Sequence, residues 1–121
     1  MSLSVTLITF DPESNQILNS EPYPQNGEDL AGFESWRTKV YASQPFKDRG
    51  ATYLPKLDGD DLMISGEHLK PFKAEVQILI SYLESLGIEL GIDAEQLEFR
   101  LNNILKATKT AIERDQTVWI S

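Results

Sequence analysis

Apolar residues beyond Pro71 recur at helical spacing. Phe72, Val76, Leu79, Leu83 and Leu86 step by 4, 3, 4 and 3 positions and line one helix face. Leu97, Leu101, Ile104, Thr108 and Ala111 repeat the spacing, and Leu105 and Ile112 widen the stripe. Two amphipathic helices are therefore expected between Pro71 and Arg114. Pro71 suits only a first helical turn, where its missing N–H costs little, so the first helix should begin between Gly66 and Lys70. Gly87 suits the position just past its end. Asp93 reads as the N-cap of the second helix, with Gln96 closing a capping box and Ile92 and Leu97 placed for a hydrophobic staple.

The remainder of the chain carries a shorter period. Leu3, Val5 and Leu7 alternate with Ser4 and Thr6, which predicts a half-buried strand continuing through Ile8 and Phe10. Asp11-Pro12-Glu13-Ser14-Asn15 supplies turn chemistry, and Gln16-Ile17-Leu18 can return as the second arm of a hairpin. Asn19 to Gly27, with Pro22 and Pro24, reads as an extended loop. Leu30, Phe33, Arg37 and Val40, with Trp36 beside them, predict a helix from Glu28 that ends before Pro45. Acids in its first turn and Arg37 and Lys39 near its end suit the helix dipole. Phe46 to Leu57, broken by Gly50 and Pro55, fits no single element.

Leu62-Met63-Ile64 reads as a short strand, and Thr117-Val118-Trp119-Ile120 as a terminal one. Strand, strand, helix, strand, helix, helix, strand is the order of an α+β fold. It implies a small, mainly antiparallel sheet with helices on one face, including a C-terminal antiparallel helix pair. An all-helical chain with frayed ends is the competing architecture.

At 121 residues, one domain spanning 1–121 is expected, and a hydrophobic content of 40% is enough for its interior. Nineteen acids against eleven bases give a net charge of −8, which opposes nucleic acid and anionic membranes. Lys70 and Lys73, like Lys106 and Lys109, lie near acids and build no basic patch. The lack of cysteine excludes disulfides, thiolate nucleophiles and Cys-ligated zinc or iron–sulfur centres. Met1 to Thr6 lacks the basic start of a signal peptide, and no apolar run reaches the roughly 20 residues of a membrane span. A soluble, cytoplasmic protein is expected.

Candidate chemistry is sparse. Asp58-Gly59-Asp60-Asp61 is the densest acidic cluster, with Glu67 near it and no Lys or Arg from Leu57 to Leu69. Carboxylates suit Ca²⁺ and Mg²⁺, but an EF-hand register from Asp58 fails, because Met63 stands where glycine is needed and Leu69 where the bidentate acid belongs. The cluster reads more simply as a solvated turn. His68, the only histidine, could act as a lone base, yet Ile64-Ser65-Gly66-Glu67 is no nucleophile elbow. No phosphate loop or dinucleotide fingerprint occurs. Glycosidase-type carboxylate pairs are not singled out by spacing. No catalytic residue, metal ligand or cofactor is assigned.

Charge distribution is more suggestive. Up to Trp36 the acids are Asp11, Glu13, Glu21, Glu28, Asp29 and Glu34, with no Lys or Arg. Such a field would favour a basic protein partner, with aromatics such as Tyr23, Phe33, Trp36 and Tyr41 as anchors. The candidate partner-binding residues are Glu28, Asp29, Glu34, Trp36, Asp58, Asp60 and Asp61. The expected function is a small, acidic, non-catalytic protein-binding module, of the inhibitor or immunity-protein kind by charge and size alone. Two readings compete. One is a carboxylate-dependent enzyme or ligand-binding protein using Asp58–His68. The other is a homo-oligomeric subunit joined through Ile78, Ile80 and Tyr82.

Overall fold

Strand β1 (Ser2–Phe10) is the hub of a five-stranded antiparallel sheet in the computed structural model, which describes residues 2–24 and 30–121. Strand β2 (Ile17–Pro22) returns along Thr6–Phe10, and β3 (Leu30–Phe33) lies along Ser2–Ser4. Strand β5 (Thr117–Ile120) runs beside Val5–Ile8 and carries β4 (Leu62–Ile64) on its far side, giving the order β2-β1-β5-β4. The first turn forms as its composition predicts. The Asp11 carboxylate accepts from the Glu13 N–H at 2.9 Å, which holds its carboxyl below the usual range.

Strand parity sorts the side chains onto two faces. Leu3, Val5 and Leu7, with Val118, Ile120, Leu62 and Ile64 at neighbouring positions, are buried on one face. Helices α2 (Leu69–Ile80), α3 (Leu83–Leu90) and α4 (Ala94–Arg114) supply the facing layer. Helix α4 packs on α2 and α3 and reaches β1, β3 and β5. Phe72, Val76 and Leu79 meet Leu97, Leu101, Ile104, Ala107 and Ala111 in one continuous apolar cluster with the sheet residues. The fold is α+β, with the helical layer on one side of the sheet. Asp93 caps α4, its side chain accepting from the Glu95 N–H at 2.9 Å.

Four segments depart from the pattern. The helix expected from Glu28 is instead strand β3 followed by a π-helical turn, Arg37–Tyr41, in which the Ala42 N–H reaches the Arg37 carbonyl at 3.1 Å. Gly32 explains the difference. Its φ is +120°, outside any helix, and a Cβ there would lie 2.6 Å from Cε3 of Trp36. The helical turn does end before Pro45, at Tyr41, and a separate short helix not expected from the sequence follows, α1 (Gln44–Asp48), capped by Ser43 with Pro45 in its first turn.

The long first helix divides at Ser81 and Tyr82. The Ser81 hydroxyl donates to the Ile78 carbonyl at 2.5 Å, competing with the helical ladder, yet Leu79 and Leu86 stay fully buried on either side. Its end is set by Gly91 in the left-handed conformation (φ 67°) rather than by Gly87, which sits inside α3 against the Ile92 carbonyl. Finally, the segment expected as a loop from Asn19 keeps strand geometry to Pro22. The Tyr23 N–H donates to Val5 O at 3.1 Å, so alternation turns the N–H-less Pro22 outward, where it breaks no bond.

One buried acid organises the connection between α1 and β4. Glu75, only 6% exposed on α2, accepts from the backbone N–H groups of Thr52, Tyr53 and Leu54 and from the Thr52 hydroxyl. It thereby caps the 3₁₀ turn Leu54–Leu57.

Candidate functional site

The sheet face opposite the helices carries Ile8 and Phe10 of β1, Ile17 of β2, Met63 of β4 and Trp119 of β5. They line an open depression of about 690 Å³ with Asp60 and Asp61 on one side. Ile8 is fully covered by its neighbours, whereas Ile17 is 58% and Met63 51% exposed. An apolar floor containing two aromatics, left without a helical layer among the described residues, is an unusual thing to give to water. Its origin is local. Leu7-Ile8 and Val118-Trp119-Ile120 place apolar side chains on both strand faces instead of alternating with polar ones.

The acidic rim is braced from behind. The Arg37 guanidinium, at the start of the π-helical turn, donates to Glu34 at 2.7 Å and to Asp61 at 2.9 Å. It also donates to the carbonyls of Leu57 at 3.1 Å and Asp60 at 2.5 Å. The Glu34 hydrogen bond, opposed by burial and aided by Asp61, raises Arg37 above its ordinary pKa. The Thr38 hydroxyl donates to Asp58 at 3.1 Å, and the Asp60 carboxylate accepts from the Asp61 N–H at 2.8 Å. Arg37 therefore pairs with the carboxylates of Glu34 and Asp61 and holds the loop backbone at Leu57 and Asp60, while Asp58 is held by Thr38.

The structure thus joins Glu34 and Asp61 through the Arg37 guanidinium, which also holds the Asp60 carbonyl, and ties Asp58 to the neighbouring Thr38. Trp36 has another place. At 7% exposure it packs edge-on against Phe33 and Tyr41, with ring centroids 6.2 and 6.0 Å away, as part of the core. Glu28 and Asp29 lie outside the described residues. Phe10, Met63 and Trp119, which line the depression, were not among the residues singled out in the sequence. Their signal was the doubled apolar parity of β1, β4 and β5.

The Asp58–His68 segment forms a smaller hollow of about 280 Å³ between β4 and the side chains of Tyr53, Lys56 and His68. His68 is exposed, with Nδ1 3.1 Å from the Tyr53 hydroxyl. Glu67 is exposed and does not line this hollow. Among the described residues, no three acids or histidines converge as a metal site. A second apolar area lies at the α2–α3 junction, where Ile78, Tyr82 and Ile88 are exposed and the Arg49 guanidinium sits 5.4 Å from the Tyr82 ring centroid. No helix among the described residues is long and apolar enough to cross a membrane. No family model, curated protein or solved structure matches the chain.

Proposed function

We propose that this chain is a non-catalytic binding module for a basic protein, of the inhibitor or immunity-protein kind, and that the uncovered sheet face is its contact surface. One observation carries the reading: the apolar depression of Ile8, Phe10, Ile17, Met63 and Trp119 directly adjoins the acidic loop at Asp60 and Asp61. Desolvated aromatic and thioether side chains supply the energy of such contacts, and flanking charge sets their rate and partner choice. Arg37 holds the acids in place before any partner arrives, which lowers the entropy lost on binding. An enzymatic use of the same acids has less support, because Asp58, Asp60 and Asp61 each spend a carboxylate oxygen on an internal hydrogen bond.

The test is comparative capture from the native host, using the full chain, its Met63→Lys variant and a double Asp60→Asn/Asp61→Asn variant. Met63 is half-exposed, so lysine leaves the fold intact while placing a cation on the patch. The expected result is a basic protein retained by the parent chain, lost on Met63→Lys, and weakened by the double variant and by raised salt. Exposed charges are screened beyond about 10 Å at 0.1 M salt. Retention unaffected by Met63→Lys, or an acidic partner indifferent to salt, would refute the reading.

A further inference from the structure

The free edge of β4 offers a backbone site that the side-chain patch does not use. Ser4 and Ser121 exchange both of their backbone hydrogen bonds, at 2.9 and 3.1 Å. Bonded and non-bonded pairs alternate along an antiparallel ladder, so Thr6 and Trp119 form the next exchanging pair in the β1–β5 register. Trp119 therefore turns its N–H and C=O toward β1, while Val118 and Ile120 turn theirs toward β4. Their partners there are Ile64 and Leu62. Met63, between those two, must direct its N–H and C=O away from β5, toward the sheet edge. Among the described residues no backbone group outside the sheet meets them.

That edge opens onto the hollow of about 280 Å³ walled by Tyr53, Lys56 and His68 and ended by Asp60 and Asp61. The geometry points to strand addition: an extended segment of the basic partner pairs with Met63 and becomes the next strand of the sheet beyond β4. This inference rests on the binding reading above and specifies its mode. Exposed strand edges are templates for such pairing, and proteins normally blunt them with lysine, proline or a covering element. Strand β4 itself carries no lysine or proline, and the Lys56 side chain that walls the hollow stands beside the edge with Asp60 and Asp61 also lining it. Β-sheet alternation would place every second side chain of the added segment on the uncovered face beside Met63 and Trp119. A lysine or arginine near its end would then meet Asp60 and Asp61. Among the described strands β2 and β3 also have an unpaired side, and on β2 the outward Pro22 lacks an N–H to offer.

The test uses peptides selected on the full chain from a random dodecapeptide library. The best binder is measured against the parent, Met63→Val and Met63→Pro proteins. Both substitutions remove the thioether, but only proline removes the outward N–H, and that N–H belongs to no intrachain pair. Proline should weaken binding about tenfold more than valine, the worth of one intermolecular hydrogen bond. Methylating the pairing amide of the peptide should cost a similar factor, and this measurement decides the matter if the proline variant does not fold. Equal affinities for the valine and proline proteins, with methylated peptides unaffected, would overturn strand addition and leave the face reading standing. Peptides indifferent to Met63→Lys, or a library without binders, would overturn both. Concentration-dependent dimerisation lost in Met63→Pro would make a second copy the occupant and equally overturn the proposal.

Discussion

Replacing Glu75 by glutamine should be among the most damaging conservative changes available to this chain. Oε1 of Glu75 accepts from Thr52 N at 2.6 Å, Thr52 Oγ1 at 3.1 Å and Tyr53 N at 3.0 Å. Oε2 accepts from Leu54 N at 3.0 Å. Every partner is a donor. Glutamine has the same length, but in either amide orientation its NH₂ group must face at least one of these buried N–H groups. An orphaned buried donor costs about 1–3 kcal/mol. The bonds that survive lose their charge assistance and about half their strength, adding roughly 1 kcal/mol. The sum, about 3 kcal/mol, is a large share of the 5–15 kcal/mol that holds typical domains folded. It should lower the melting temperature by about 10 °C. Urea titration followed by tryptophan fluorescence measures it, since Trp36 is buried in the same core. A loss under about 0.5 kcal/mol at unchanged m-value would show that water readily replaces the carboxylate, and the capping account would be wrong.

Three other outcomes follow from the same geometry. Gly32→Ala forces a Cβ toward the Trp36 ring at a φ of +120° and should cost roughly 3 kcal/mol, visible as a lowered urea midpoint and an altered near-ultraviolet tryptophan signal. Tyr41 is fully buried, and burial drives its phenol well above the ordinary 10.0, with Arg100 pulling weakly the other way. The folded state therefore keeps a proton that the unfolded chain releases: the contribution is whole below pH 10.0 and is lost as pH rises beyond it, so Tyr41→Phe should flatten the fall in urea midpoint at alkaline pH. Arg37→Met leaves the acids of the loop without their common donor. Amide exchange at Asp60 and Asp61 should quicken, with a global loss of about 1–3 kcal/mol, and exchange rates equal to those of the parent would contradict the bracing role.

Periodicity made the helical layer readable, because a helix bonds to neighbours close in sequence, and β-branched and aromatic composition marked the short strands although their partners are distant. Leu62–Ile64 and Thr117–Ile120 fall where their β-rich composition puts them. What escaped depends on distant contacts. Leu30, Phe33, Arg37 and Val40 mimic a helical face, but Leu30–Phe33 gains its hydrogen bonds from Ser2–Ser4, and the nearby glycine was the overlooked warning. The division at Ser81 leaves the apolar stripe unbroken, so spacing alone could not register it. Glu75 was visible in principle: it stands three residues after Phe72 on the buried face, where an acid needs a reason. Among candidate contact residues, charge drew notice to Asp58, Asp60 and Asp61, but the apolar surface that Asp60 and Asp61 border arises only when β1, β4 and β5 are laid side by side.

The placement of β5 also governs how the sheet can be assembled. Its four residues, Thr117–Ile120, lie between β1 and β4, so Leu62–Ile64 has no strand to pair with until that distant stretch is in place. Closure joins positions more than a hundred residues apart, a costly loop that slows assembly relative to helix-rich chains. Helices and the first hairpin rest on contacts close in sequence and can form early, whereas the sheet is complete only once Thr117–Ile120 has inserted between β1 and β4.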